Sequence, residues 1–127
     1  MKVYHSSPIS TIDILHNNSY VSLFPHIAFY MGLFYTNTNK TWNDNDLKKP
    51  YDFGTKIYFK KNKIPDGIPT LYVTEIESKN ISMHDNFPFE FMIKKGTKVK
   101  KINKKDIQNL LKESKKMYKN FMKINFN

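Results

Sequence analysis

The sequence contains no cysteine, which excludes disulfides and thiolate metal sites and points to a reducing compartment. Arginine is missing too. All 21 basic residues are lysine, so nothing in the chain can grip a phosphate or carboxylate with a planar, two-pronged cation. Glycine is scarce and scattered: Gly32, Gly54, Gly67 and Gly96 form no phosphate-cradling loop. Long apolar runs are also lacking. The longest candidate, Val21 to Tyr35, is interrupted by Ser22, Pro25, His26 and Gly32, and no membrane insertion is expected of it. Met1-Lys2 leads directly into a strand-like Val3-Tyr4 instead of the apolar core of a signal peptide, which makes the cytoplasm the expected location. His5, His16, His26 and His84 show no paired ligand spacing, so no metal is expected.

What the chain does have is positive charge, unevenly placed. Residues 1–93 hold nine lysines and nine acids, whereas residues 94–127 hold twelve lysines against Asp106 and Glu113. The whole formal charge of +10 therefore lies in the last quarter. A basic segment of this kind attracts nucleic acid, anionic membrane or acidic protein surfaces. A solvated helix in a lysine- and asparagine-rich chain is the alternative, and the exclusive use of lysine fits a coding bias. With 127 residues the chain has the size of one domain, and aromatics at 15% supply enough bulk for one core.

The local patterns predict strands mixed with a few helices. Residues 2–5 read as a strand ended by Ser6-Ser7-Pro8, and residues 9–15 as a turn or short helix. Asn17-Asn18 is a turn signal, followed by a strand over Ser19 to Leu23. Pro25 suits the first turn of a helix running to about Phe34. Residues 36–55 read as a loop, Ile57 to Phe59 as a brief strand and Pro65-Asp66-Gly67 as a turn. Leu71 to Glu77 alternates with a period of two and predicts a strand, with residues 79–88 a loop. Phe89 to Ile93 and Val99 to Ile102 predict a strand and its return around Lys94-Lys95-Gly96. Lys104 to about Ile124 predicts a helix N-capped by Asn103, with Ile107, Leu110, Leu111, Met117 or Tyr118, and Phe121 on its apolar face. Lys112, Lys115, Lys116, Lys119 and Lys123 recur at three and four residues and predict one basic face. Without regular βαβ alternation, the expected class is α+β, with a small mixed, split antiparallel sheet.

Single residues carry little chemistry by themselves. A histidine such as His5 at a strand end is more often a structural hydrogen-bonding group than a catalytic one, and Tyr20 reads equally as core. Glu75 and Glu77, two apart, share a strand face and could form a carboxylate pair, but a solvent-facing edge accounts for them as well.

In order along the chain, however, the segments resemble a family. Val3-Tyr4-His5-Ser6-Ser7-Pro8 is similar to the Tyr-His-Gly-Ser/Thr opening of the histidine-tyrosine-glutamate branch of ADP-ribosyltransferases, which includes poly(ADP-ribose) polymerases and rifampin-modifying enzymes. Ser19 to Tyr30 resembles that family's second motif strand and following helix, Leu71 to Ile76 its central strand, and Phe89 to Ile93 its catalytic-glutamate strand. The start, with Trp42-Asn43-Asp44-Asn45-Asp46, also resembles small bacterial and viral proteins of unassigned activity; for a viral chain the location implied is the host cytoplasm. The resemblance covers about residues 2–102 in patches. Ser6 stands where the family has glycine, Pro88 stands two before Glu90, and the lack of arginine excludes the arginine-serine-glutamate branch.

The resemblance implies an NAD-dependent mono-ADP-ribosyltransferase or a degenerate relative, with NAD and a macromolecular acceptor, an acidic protein or a nucleic acid, as partners. Glu90 would stabilise the cation that develops as the nicotinamide–ribose bond breaks. His5 would hold the adenosine-side ribose, and Tyr20 would stack on nicotinamide. Ser6, Ser7 and Ser22 would supply further polar contacts to the nucleotide. The rival expectation is a non-enzymatic inhibitor that binds nucleic acid or protein through the basic helix. A small nuclease using His5 and a carboxylate is a third.

Overall fold

The computed structural model describes residues 1–29, 69–83 and 90–126. Its strands are β1 (Lys2–Ser7), β2 (Ile14–Leu15), β3 (Tyr20–Ser22), β4 (Thr70–Glu75), β5 (Ile81–Met83), β6 (Glu90–Ile93), β7 (Thr97–Lys98) and β8 (Lys100–Lys101). Helix α1 starts at Pro25 and is described through 29; α2 spans Lys104–Phe126. Six strands form one sheet in the order β5-β6-β3-β1-β4-β8, antiparallel at every pairing, and β2 pairs with β7 in a second, two-stranded sheet. The α+β class expected from the sequence is the class observed.

Half of the residues in β1 and β4 are valine, threonine or tyrosine, whose side chains suit a pleated, half-buried surface, and the two strands pair along all six residues. One register row runs across the sheet through Glu90, Ser22, Tyr4, Val73 and Lys100. Side chains in such a row share a face, and their chain neighbours point to the other. Tyr4 and Leu71 on the row's face meet Ala28 and Phe29 of α1 and Ile107, Leu110 and Leu111 of α2. Val3, Val21, Phe91 and Ile93 on the opposite face pack with Ile12 and Leu15 from the segment around β2 and with Val99 after β7. The sheet thus separates two apolar clusters, a helix side and a small-sheet side.

Helix α2 begins where Asn103 predicts. Its side-chain oxygen accepts a hydrogen bond from Lys105 N–H at 3.4 Å, and its carbonyl accepts one from Asp106 N–H at 3.0 Å. Ile107, Leu111, Ser114 and Tyr118, spaced four, three and four apart, are buried against the sheet and α1. Asn18 takes the left-handed backbone that the Asn17-Asn18 turn signal anticipates, at φ 70°, and its N–H donates to Ile93 O at 2.8 Å.

Several expectations are corrected. Residues 9–15 form no helix; they run as a loop into β2, fastened because the Tyr72 hydroxyl donates to Ile9 O (2.6 Å) and accepts from Ile12 N–H (3.2 Å). The expected 79–88 loop holds the end of a 3₁₀ turn (Ser78–Asn80) and then β5, which pairs with β6. The return strand after Gly96 does not fold back on β6. β7, just before the expected start at Val99, joins β2, and β8, inside the expected span, crosses to β4, with Val99 between them packed into the small-sheet cluster. Met117 is 64% exposed, and Tyr118 takes the core position instead. The α1 end near Phe34, the 36–55 loop with Trp42 to Asp46, the Ile57 to Phe59 strand, the Pro65 turn, His84, Pro88 and Phe89 lie outside the described residues.

Candidate functional site

The three residues that the family resemblance singles out sit on neighbouring strands, Glu90 on β6, Tyr20 on β3 and His5 on β1. They do not share a face. Tyr20 and Glu90 are two residues apart in register, Tyr20 opposite Met92 and Glu90 opposite Ser22, and both project to the helix side. His5 follows Tyr4 and so projects to the small-sheet side.

His5 is partly buried, and its Nδ1–H donates to the Tyr20 carbonyl at 2.6 Å, linking β1 and β3 through a side chain. This bond leaves Nε2 as the ring's acceptor. Burial holds the imidazole pKa below its usual value, opposed by the bond to Tyr20, so His5 is neutral at physiological pH. The ring lies 6.5 Å from that of Tyr72.

The serines near the site are occupied locally. Ser6, present in place of the family's glycine, donates from Oγ to Ala28 O at 2.7 Å and anchors α1 to the sheet. Ser7 Oγ accepts from Ile9 N–H at 3.1 Å, and the fully buried Ser22 Oγ accepts from Phe24 N–H at 3.2 Å. These two short bonds fix the chain direction after β1 and before α1.

Glu90 is fully buried. By strand alternation it projects away from Phe91, to the helix side of the sheet. Desolvation pushes its carboxyl up to about 8, so near neutral pH it is mostly protonated. A protonated carboxyl can donate a hydrogen bond but offers no negative charge to a developing cation. Glu75 and Glu77 do not form a pair. Glu75 ends β4 and lies 3.3 Å from the Met1 amino group, while Glu77, past the strand, contacts Lys79 at 3.2 Å. Among the described residues no cluster of histidine, aspartate and glutamate could hold a metal ion.

Helix α2 has three faces. Opposite its buried stripe run Lys105, Lys112, Lys116, Lys119 and Lys123, all exposed. Lys115, expected among them, is half-buried instead. It turns toward His26, and burial together with the nearby Lys119 lowers its pKa. Asp106, Asn109 and Glu113 form the third face and, with Lys2, Tyr4 and Val73, line an open groove of about 380 Å³ between α2 and the β1–β4 pair. The only two acids of the last 34 residues therefore both stand beside this groove.

The sequence reading missed the buried polar pair His26–Ser114, which joins α1 to α2 with 2.6 Å between Nδ1 and Oγ. His26 also stacks edge-on against Tyr118 at 5.2 Å, and burial with the charge of Lys115 lowers its pKa to about 3. A serine at an apolar-stripe position of α2, four before Tyr118, was the available signal.

Comparison with protein-family models, with curated proteins and with solved structures finds no match to this chain.

Proposed function

We propose that this chain works by binding a polyanion and not by catalysis, although its sequence segments resemble those of the histidine-tyrosine-glutamate ADP-ribosyltransferases. The line of exposed lysines on α2 carries the reading. Lys105, Lys112, Lys116, Lys119 and Lys123 occupy one side of the helix, and none of them is ion-paired among the described residues. Unneutralised charge concentrated on a rigid element raises the local concentration of anionic partners and steers their approach. The enclosed, neutral carboxyl of Glu90 supports the same reading, since the transferase chemistry asks for an ionised carboxylate at the ribose.

Retention on a heparin column tests the reading. Lys112→Glu, Lys116→Glu and Lys119→Glu together should lower the eluting salt concentration severalfold, and a variant held as firmly as wild type would end the proposal.

A second reading, an active NAD-dependent mono-ADP-ribosyltransferase with a macromolecular acceptor, is favoured by one arrangement. Strands β6, β3 and β1 are contiguous, and the His5–Tyr20 bond leaves His5 Nε2 able to accept from a ribose hydroxyl. Incubation with labelled NAD and a cell lysate separates the two. The binding reading expects no label on any acceptor, whereas label that disappears in Glu90→Ala would establish the transferase.

A further inference from the structure

We infer that the polyanion met by α2 is the sugar–phosphate backbone of a double-stranded nucleic acid, contacted without reading of bases; this rests on the polyanion-binding reading above.

From Lys105 to Lys123 the stripe runs about 27 Å along the helix at 1.5 Å per residue, and its five lysines fall within a sector of about 60°. Between residues 105 and 123 no other residue falls within that sector, and the exposed Gln108 and Asn109 flank it on either side. The stripe thus offers no apolar side chain, no aromatic ring and no acid. Each absence selects against a partner. Protein interfaces depend on a few buried aromatic or apolar anchors, and this line has none. Single strands gain about 1–3 kcal/mol per base from stacking on aromatic side chains, and this line has no platform for it. A duplex needs neither, because it presents one phosphate charge per about 1.7 Å of axis and rewards a straight row of cations. With no arginine in the chain, the rigid planar fork that reads guanine best is missing, which leaves phosphate contacts to dominate. Asp106 and Glu113 on the adjoining face repel phosphate, so the helix lies on the duplex by its lysine line and does not roll toward the groove.

The experiment is fluorescence anisotropy of the full chain with a labelled 20-base-pair duplex of arbitrary sequence, one of its single strands, and poly-glutamate as competitor, between 50 and 200 mM KCl. The duplex should bind at least tenfold tighter than the single strand, with little dependence on sequence. Its log K should fall with log salt at a slope of about −4, as four to five neutralised phosphates require. Lys112→Glu, Lys116→Glu and Lys119→Glu together should weaken duplex binding more than a hundredfold. The charge-matched Lys94→Glu, Lys95→Glu and Lys98→Glu variant, altered after β6 and on β7 across the sheet from α2, should stay within threefold of wild type. Equal or tighter binding of the single strand or of poly-glutamate would overturn the duplex inference and leave polyanion binding standing. Failure to bind any of the three, or equal loss in both triple variants, would overturn the reading beneath it.

Discussion

The Ser114 hydroxyl on α2 lies 2.6 Å from Nδ1 of His26 and 3.3 Å from the His26 backbone nitrogen, so one side chain from α2 caps the first turn of α1. The backbone N–H donates to Oγ, and the Oγ hydrogen donates to Nδ1, which fixes the neutral ring with its proton on Nε2. Ser114→Ala removes both bonds inside the core. The expected cost is about 1–3 kcal/mol, read as a lower urea midpoint with unchanged slope. Lys112→Ala, two residues before it on the exposed side of the same helix, should leave the midpoint where it is.

Stability should pass through a maximum in mildly acidic solution. His26 has its pKa lowered to about 3, so between there and its unfolded value near 6.5 only the unfolded chain takes up the proton, and stability falls as pH drops through that window. His5, also lowered, acts in the same direction. Glu90 is raised to about 8, so from its unfolded value near 4.5 upward only the unfolded chain ionises, and stability falls as pH rises through that window. The opposing effects offset each other between about 4.5 and 6.5, with a decline on either side. Glu90→Gln should remove the alkaline decline and raise Tm at pH 8 while changing little at pH 4.5. Thermal unfolding from pH 3.5 to 9 checks this, and a wild-type Tm that climbs steadily to pH 8 would contradict it.

Tyr72 is fully buried on β4, yet its hydroxyl holds the loop before β2 through Ile9 and Ile12. Tyr72→Phe should cost about 1–2 kcal/mol and loosen that loop selectively. Hydrogen exchange should quicken at the Ile12 amide while the β1–β4 ladder keeps its protection. Uniform loss of protection would instead assign the hydroxyl to global stability.

Asn18 holds φ 70° at the turn before β3. Asn18→Gly should be neutral or slightly stabilising, whereas Asn18→Val should cost about 1–2 kcal/mol because a branched Cβ is crowded in the left-handed region. Urea titration of the two variants gives the comparison, and equal midpoints would show that the turn relaxes.

Much of the fold was legible locally. The period-two run at Leu71 to Glu77, the Asn17-Asn18 turn, Pro25 at a helix start and the Asn103 cap all depend on residues within a few positions of one another, and each stands about where it was expected. The candidate site was less legible. His5, Tyr20 and Glu90 do fall on adjacent strands, but which face each takes depends on strand register, and a shift of one residue would reverse it.

The sequence by itself determined the α+β elements, the charge crowded into the last 34 residues and the lysine repeat of α2, because composition and periodicity are properties of neighbouring residues. Only the tertiary structure decided that Glu90 is fully buried on the helix side of the sheet, that Lys115 leaves the basic face, that β7 and β8 divide between two sheets, and that Ser114 caps α1. Those outcomes join residues as far apart as His26 and Ser114, separated by 88 positions. Which distant surfaces meet is settled by the joint packing of two apolar clusters on one sheet, and no local pattern encodes it.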